Sequence, residues 1–160
     1  MGTNVEASNG VSLEHGYTAE LTLGAAPARV FSAIATPDGL ASWWTPIVSG
    51  SLAPGTRFEL GFPGSRSTIE LRVERARPPA VVEWTCLAHS EHPEWKGTTL
   101  EFRLSERGLG ETALSFRHAG LERQLPCFDA SKSDWDRMLA DLRETVESDG
   151  PPFADLDAAA

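Results

Sequence analysis

Cysteine is scarce in this chain: of 160 residues only Cys86 and Cys127 are cysteines, far apart and with no CxxC spacing. That excludes a disulfide-stapled scaffold or a four-thiolate zinc module, and leaves two free thiols in a reducing compartment as the expectation. Basic residues are also few. The chain has 14 Lys and Arg against 23 Asp and Glu, a formal net charge of -9. Nucleic acid and anionic membrane surfaces are gripped through a basic face, so neither is an expected partner. No apolar run approaches the ~20 residues that span a bilayer. The opening MGTNVEASNG has no basic start, no apolar stretch, and no Ser or Thr at the sixth position, so neither a signal peptide nor a myristoylation site is read there. A cytoplasmic location follows as an expectation. HExxH, a glycine-rich phosphate loop and the GxSxG elbow are absent from the sequence, and no cofactor is expected. Arginine far outnumbers lysine, which points to a GC-rich, bacterial coding genome rather than to any chemistry.

What is present suffices for one domain with a real core: 41% of residues are hydrophobic and 23% charged. The most informative stretch runs from Ser131 to Ser148. Trp135, Met138, Leu139, Leu142 and Val146 recur at the helical period and form one apolar stripe, while Asp134, Asp136, Arg137, Asp141, Arg143, Glu144 and Glu147 cover the other side. Ser131 or Ser133 is the expected cap and Gly150, Pro151 and Pro152 the expected stop. A rod of this kind needs a surface to lie on.

The upstream sequence supplies strands. Tyr17, Ala19, Leu21 and Leu23 alternate with polar residues, and so do Phe58, Leu60 and Phe62; Ile69, Leu71 and Val73; Val82, Trp84, Cys86 and Ala88; Thr98, Leu100, Phe102 and Leu104; and Thr112, Leu114, Phe116 and His118. Pro27 and the Thr36-Pro37-Asp38 run start two short helices after the first strand. They carry no basic residue beyond Arg29 and are read as a connector, not a DNA reader. Short turns at Pro54-Gly55, Pro63-Gly64, Pro78-Pro79 and Gly108 to Gly110 make the strands antiparallel neighbours. The expected class is α+β: a sheet wet on one face, curving around the long helix on the other.

Three segments carry a resemblance: PARVFSAIATPDGLASWWTP, WKGTTLEFRLSERGLGETALSFRHAGL, and the Trp135 helix ending in GPPF. Together they resemble the START-like (SRPBCC, Bet v 1-type) helix-grip superfamily, and within it the activator of Hsp90 ATPase homologue-like family. The resemblance implies a sheet of six to seven antiparallel strands gripping the C-terminal helix, with a seventh strand at Ile47 to Leu52. It further implies a cavity between sheet and helix that takes hydrophobic small molecules. The domain would span residues 15–153, with tails at 1–14 and 154–160.

The residues expected to line such a cavity are Tyr17, Trp44, Phe58, Phe62, Leu71, Trp84, Cys86, Phe102, Phe116, His118, Trp135, Leu139 and Leu142. Large rings beside small residues such as Ala19, Cys86, Ala88 and Thr98 can leave room for a ligand; a filled core is the plainer alternative. His118 is the one imidazole expected to face inward. It could orient a ligand or move a proton, although a strand-end histidine bonded to a backbone carbonyl is the preferred reading. No carboxylate is expected on the inner face. His89 and His92, with Glu91 and Glu94, read as a solvated loop and not as a metal site. The leading expectation is non-catalytic binding of a small hydrophobic or aromatic molecule. A cyclase or dehydratase acting on a polyketide-like or aromatic substrate, with His118 and Tyr17 assisting, is one alternative. An Hsp90-activator-like protein-interaction domain, using a surface patch at Trp43 and Trp95, is another. A homodimer is left open.

Overall fold

The computed structural model describes residues 16–148. The first strand, β1 (Gly16–Leu23), is followed by helices α1 (Pro27–Ala35) and α2 (Pro37–Ala41). Six strands come next: β2 (Ile47–Gly50), β3 (Arg57–Gly61), β4 (Thr68–Arg77), β5 (Val81–His89), β6 (Thr99–Glu106) and β7 (Thr112–Ala119). A single 3-10 turn (Pro93–Trp95) interrupts the β5–β6 connection, and the long helix α3 (Phe128–Glu147) is the last element among the described residues. The seven strands form one sheet in the order β1-β7-β6-β5-β4-β3-β2, every neighbour antiparallel. Since β1 and β2 are the two edges, α1 and α2 are the segment that carries the chain from one edge of the sheet to the other.

Period-two alternation sets the register. Phe102 lies opposite Phe116 and Leu100 opposite His118, all four buried. The other face carries Arg75, Glu83, Glu101 and Arg103, joined by ion pairs of 2.7 to 3.4 Å. These are partly exposed and contribute at most ~1 kcal/mol each, so burial of the inner face is what holds the sheet to the helix. On α3 the buried residues are Ser131, Trp135, Met138, Leu139, Leu142 and Val146, the apolar stripe with one serine added.

Three local expectations are corrected. First, α3 starts at Phe128, with Cys127 at the cap position and no side-chain cap. Ser131 is buried within the first turn and its hydroxyl accepts from Trp95 instead. Second, Ala88 is exposed. A register shift pairs Glu70 with Ala88 but Leu71 with Cys86, so one extra β5 residue, Leu87, inverts the alternation. His89 thereby comes opposite the buried Ile69, on the inner side. Third, strand β3 ends at Gly61, and Phe62 is half-buried beyond it. The expected stop at Gly150, Pro151 and Pro152 and the tails at 1–14 and 154–160 lie outside the described residues.

The Thr36-Pro37-Asp38 start behaves as read: the Thr36 hydroxyl accepts from Gly39 N at 2.9 Å. It also lays α2 against α1 so closely that a Cβ on Gly39 would sit 2.0 Å from Ser32 O and 2.7 Å from Ala33 Cα. Both obstacles are backbone and have nowhere to go. Gly39→Ala should therefore lower stability by about 1–3 kcal/mol through overpacking, read as a drop in the urea midpoint. An unchanged midpoint would contradict this packing.

Candidate functional site

The space between sheet and helix is occupied by packed aromatic rings. Trp135 of α3 lies 4.3 Å from Phe116, 5.3 Å from Trp44 and 6.0 Å from Trp95, centroid to centroid. Trp84 packs edge-on against Phe58 and Phe102 at 5.1 and 5.2 Å. Its indole N–H is buried with no partner, whereas Trp43 Nε1 donates to Ala33 O at 2.8 Å.

His118 sits at the centre of a polar thread through this cluster. Its Nδ1 accepts from Trp135 Nε1 at 3.0 Å, and its Nε2 lies 2.8 Å from Thr98 Oγ1. The Thr98 hydroxyl donates to Trp95 O at 2.5 Å, so its proton is already committed and the His118 proton must be on Nε2. The partners are thus two side chains, not the backbone carbonyl expected from sequence. Burial, helped by the neighbouring His89, pushes the His118 pKa down to about 3, so the ring is neutral at neutral pH.

A cleft of about 270 Å³ opens at one end of the helix–sheet seam. The buried Ile69, Trp95 and Met138 and the half-buried Trp44 and Phe62 give it an apolar lining. Ser65, Ser67, Glu91, Asp134 and Arg137 add polar groups, and His89 and His92 supply two imidazoles. His89 Nδ1 accepts the backbone N–H groups of Glu91 and His92, each at 3.1 Å, which leaves the proton on Nε2. Burial, then His92, lowers its pKa to about 4, so this ring too is neutral at neutral pH.

A second cleft, of about 400 Å³, lies beside β1 and the start of α3, along Gly16, Tyr17, Thr18, Arg123, Phe128, Asp129 and Lys132. Here Tyr17 donates to Asp136 Oδ1 at 2.5 Å, and Lys132 holds the other carboxylate oxygen at 2.9 Å. Burial, followed by the Asp136 carboxylate, raises the Tyr17 pKa far above its ordinary range. The Tyr17 hydrogen bond, and then Lys132, lower that of Asp136. Asp136 follows Trp135 on the charged side of the helix and stays exposed, yet the Tyr17 hydroxyl reaches it at the border of the stripe.

Of the residues expected to line a cavity, Trp44 and Phe62 line the first cleft and Tyr17 the second. Phe58, Leu71, Trp84, Cys86, Phe102, Phe116, His118, Trp135, Leu139 and Leu142 are at most 3% exposed and pack on one another. Ile69, His89, His92, Trp95 and Met138 were not among the expected lining. Trp43 and Trp95 are 7% and 2% exposed, so no surface patch is built on them. Both cysteines are free and buried. Burial pushes the Cys86 thiol up to about 11, which rules it out as a thiolate nucleophile at neutral pH.

An antiparallel sheet closed over a C-terminal helix, with a cleft at their seam, defines a helix-grip protein of the START-like superfamily. The chain belongs to the activator of Hsp90 ATPase homolog 1-like protein family, whose model matches residues 24–147. It is similar to the Aha1 dimer from Colwellia psychrerythraea, with 25% identity and a TM-score of 0.71 over 82% of this chain and 96% of that one. It also resembles MLL2253 from Mesorhizobium loti, with 18% identity and a TM-score of 0.72 over 85% and 99% of the two chains. CalU16 from Micromonospora echinospora, 22% identical, matches with a TM-score of 0.66 over 82% and 75%. These last two share the fold. No curated protein sequence matches the chain. Among the described residues no helix is long and apolar enough to cross a membrane.

Proposed function

We propose that this protein binds a small hydrophobic or aromatic molecule in the first cleft and does not itself turn it over. The observation that carries the reading is the lining of that cleft: Trp44, Phe62, Ile69, Trp95 and Met138 on its apolar side, and the neutral His89 with Nε2–H left to donate. A few polar groups on an apolar wall is what small-molecule sites have in common. At about 270 Å³ the cleft lies just below the usual ligand-pocket range of ~300–1,000 Å³, so a one- or two-ring molecule fits the volume better than an extended polyketide. Binding is favoured over turnover because both nitrogens of His118 are bonded and Tyr17 is held as a phenol by Asp136. Neither is free to pass a proton. Self-association, the state of the Colwellia protein, and a cytoplasmic setting belong to the same reading; sedimentation at several concentrations would give the copy number against which ligand stoichiometry is read.

The test is a panel of indoles, naphthols and aromatic acids screened by tryptophan fluorescence and thermal unfolding. A ligand at 100 times its Kd stabilises by ~2.7 kcal/mol, and quenching is expected because Trp44 and Trp95 form the wall. Met138→Trp places a ring in the open cleft and should abolish binding while the protein still folds. A panel with no stabilising member, or binding unaffected by Met138→Trp, would overturn the assignment to this cleft.

A further inference from the structure

Beside the cleft, His92, Glu94 and Cys127 bring one ligand atom each to within 4.8 Å of one another. We infer that these three side chains form a zinc site. Read along the sequence, His92 and Glu94 belong to a loop taken as solvated; the fold brings a third donor to them, Cys127, from the start of α3. The convergence rests on Trp95. Its indole N–H donates to Ser131 Oγ at 3.0 Å, its backbone N–H donates to His92 O at 2.9 Å, and its carbonyl accepts from Thr98. Glu94 directly precedes it on the 3-10 turn, and His92 is the residue at that turn's N-cap. Ser131 N in turn donates to Cys127 O at 2.8 Å, which fixes Cys127 one helical turn away. The His92 backbone is itself held, through its N–H to His89 Nδ1. Two chain segments more than thirty residues apart are thus locked together at the point where the three donors meet.

The donor set chooses the metal. One sulfur, one imidazole and one carboxylate match zinc and exclude the all-oxygen preference of calcium and magnesium. Zinc bonds of about 2.0–2.3 Å place tetrahedral donors between about 3 and 4 Å apart. The set must therefore close by about 1 Å. His92 and Glu94 are half-exposed and can turn toward Cys127, which is buried. Binding replaces the Cys127 thiol proton, which leaves to solvent as the Zn–S bond forms. The fourth position stays open to water. Because His92 also lines the first cleft, the ion would fix one of its walls. The site does not depend on what the cleft itself holds.

The test uses the reduced full-length protein titrated with Co2+ as the spectroscopic probe and then with Zn2+. A thiolate-to-cobalt charge-transfer band should grow to one equivalent and vanish as zinc displaces cobalt. Cys86→Ser should retain the band. Cys127→Ser should lose it and weaken zinc, in competition with a chromophoric chelator, by more than about 100-fold, beyond what losing a group behind a ligand costs. His92→Ala and Glu94→Gln alter half-exposed side chains and keep the test decisive if Cys127→Ser does not fold; each should weaken zinc at least ~10-fold. No charge-transfer band in the wild-type protein, or zinc affinity unchanged in these variants, would overturn the assignment.

Discussion

Trp135→Ala is expected to remove about 4–8 kcal/mol of unfolding free energy, most of what a domain of this size has. Two separate losses add. Truncating a fully buried tryptophan costs about 3–5 kcal/mol in transfer and cavity terms, and Trp135 is 0% exposed against Phe116, Trp44 and Trp95. The second loss is polar. Without the indole N–H, His118 Nδ1 becomes a buried acceptor with no partner, which costs about 1–3 kcal/mol. Trp135→Phe weights the second loss, because it keeps most of the ring packing and drops the donor. It should fall about 1–3 kcal/mol below wild type. Urea unfolding of both variants checks this. If Trp135→Phe matches wild type within error, His118 is not held by that indole, and the polar thread described here is wrong.

The same residue shows what could be read from the sequence and what could not. Trp135, Leu139 and Leu142 stood out because a helix repeats its buried face every three or four residues, and strands β6 and β7 because theirs repeats every two. Both periods are local, so they survive without the fold. The edge strand Ile47–Gly50 has no buried face, its residues being exposed or half-exposed, so alternation was silent there and only the family resemblance supplied it. The cleft was harder still. Its imidazole wall depends on the one-residue bulge that turns His89 inward, and a bulge arises from how two strands pair, not from either strand alone. Trp95 sits in a polar stretch, and its indole is packed on Trp135 and bonded to Ser131, 36 positions away. Asp136 was assigned to solvent because it lies on the charged side of the helix, and it does remain half-exposed at 52%. Its second role, accepting from Tyr17, follows only once β1 lies at the sheet edge next to α3.

Acid should destabilise this protein earlier than its carboxylates would. His118 has a folded pKa near 3 against an ordinary 6.5, so between those values the unfolded chain binds a proton that the folded one refuses. The stability tied to neutral His118 is therefore complete above pH 6.5 and drains as pH falls toward 3. At about 1.36 kcal/mol per pH unit, the loss relative to neutral pH is about 2 kcal/mol at pH 5 and about 4 kcal/mol at pH 3.5. The groups facing the ring are Trp95, Trp135 and Thr98, none of them anionic, so nothing nearby rewards a cationic imidazole. His89, also lowered by burial, acts in the same direction. Asp136 and Glu74 have lowered pKa values as well, so their stabilisation is present above the ordinary carboxylate range and lost only below it. The interval from pH 6.5 to 5 therefore isolates the histidines. Urea unfolding across it should show a steep slope in the wild-type protein and a shallower one in His118→Gln, whatever the variant's stability at pH 7. Parallel curves would mean that His118 can be protonated where it stands, and that its neutral, doubly bonded state is not what closes the core.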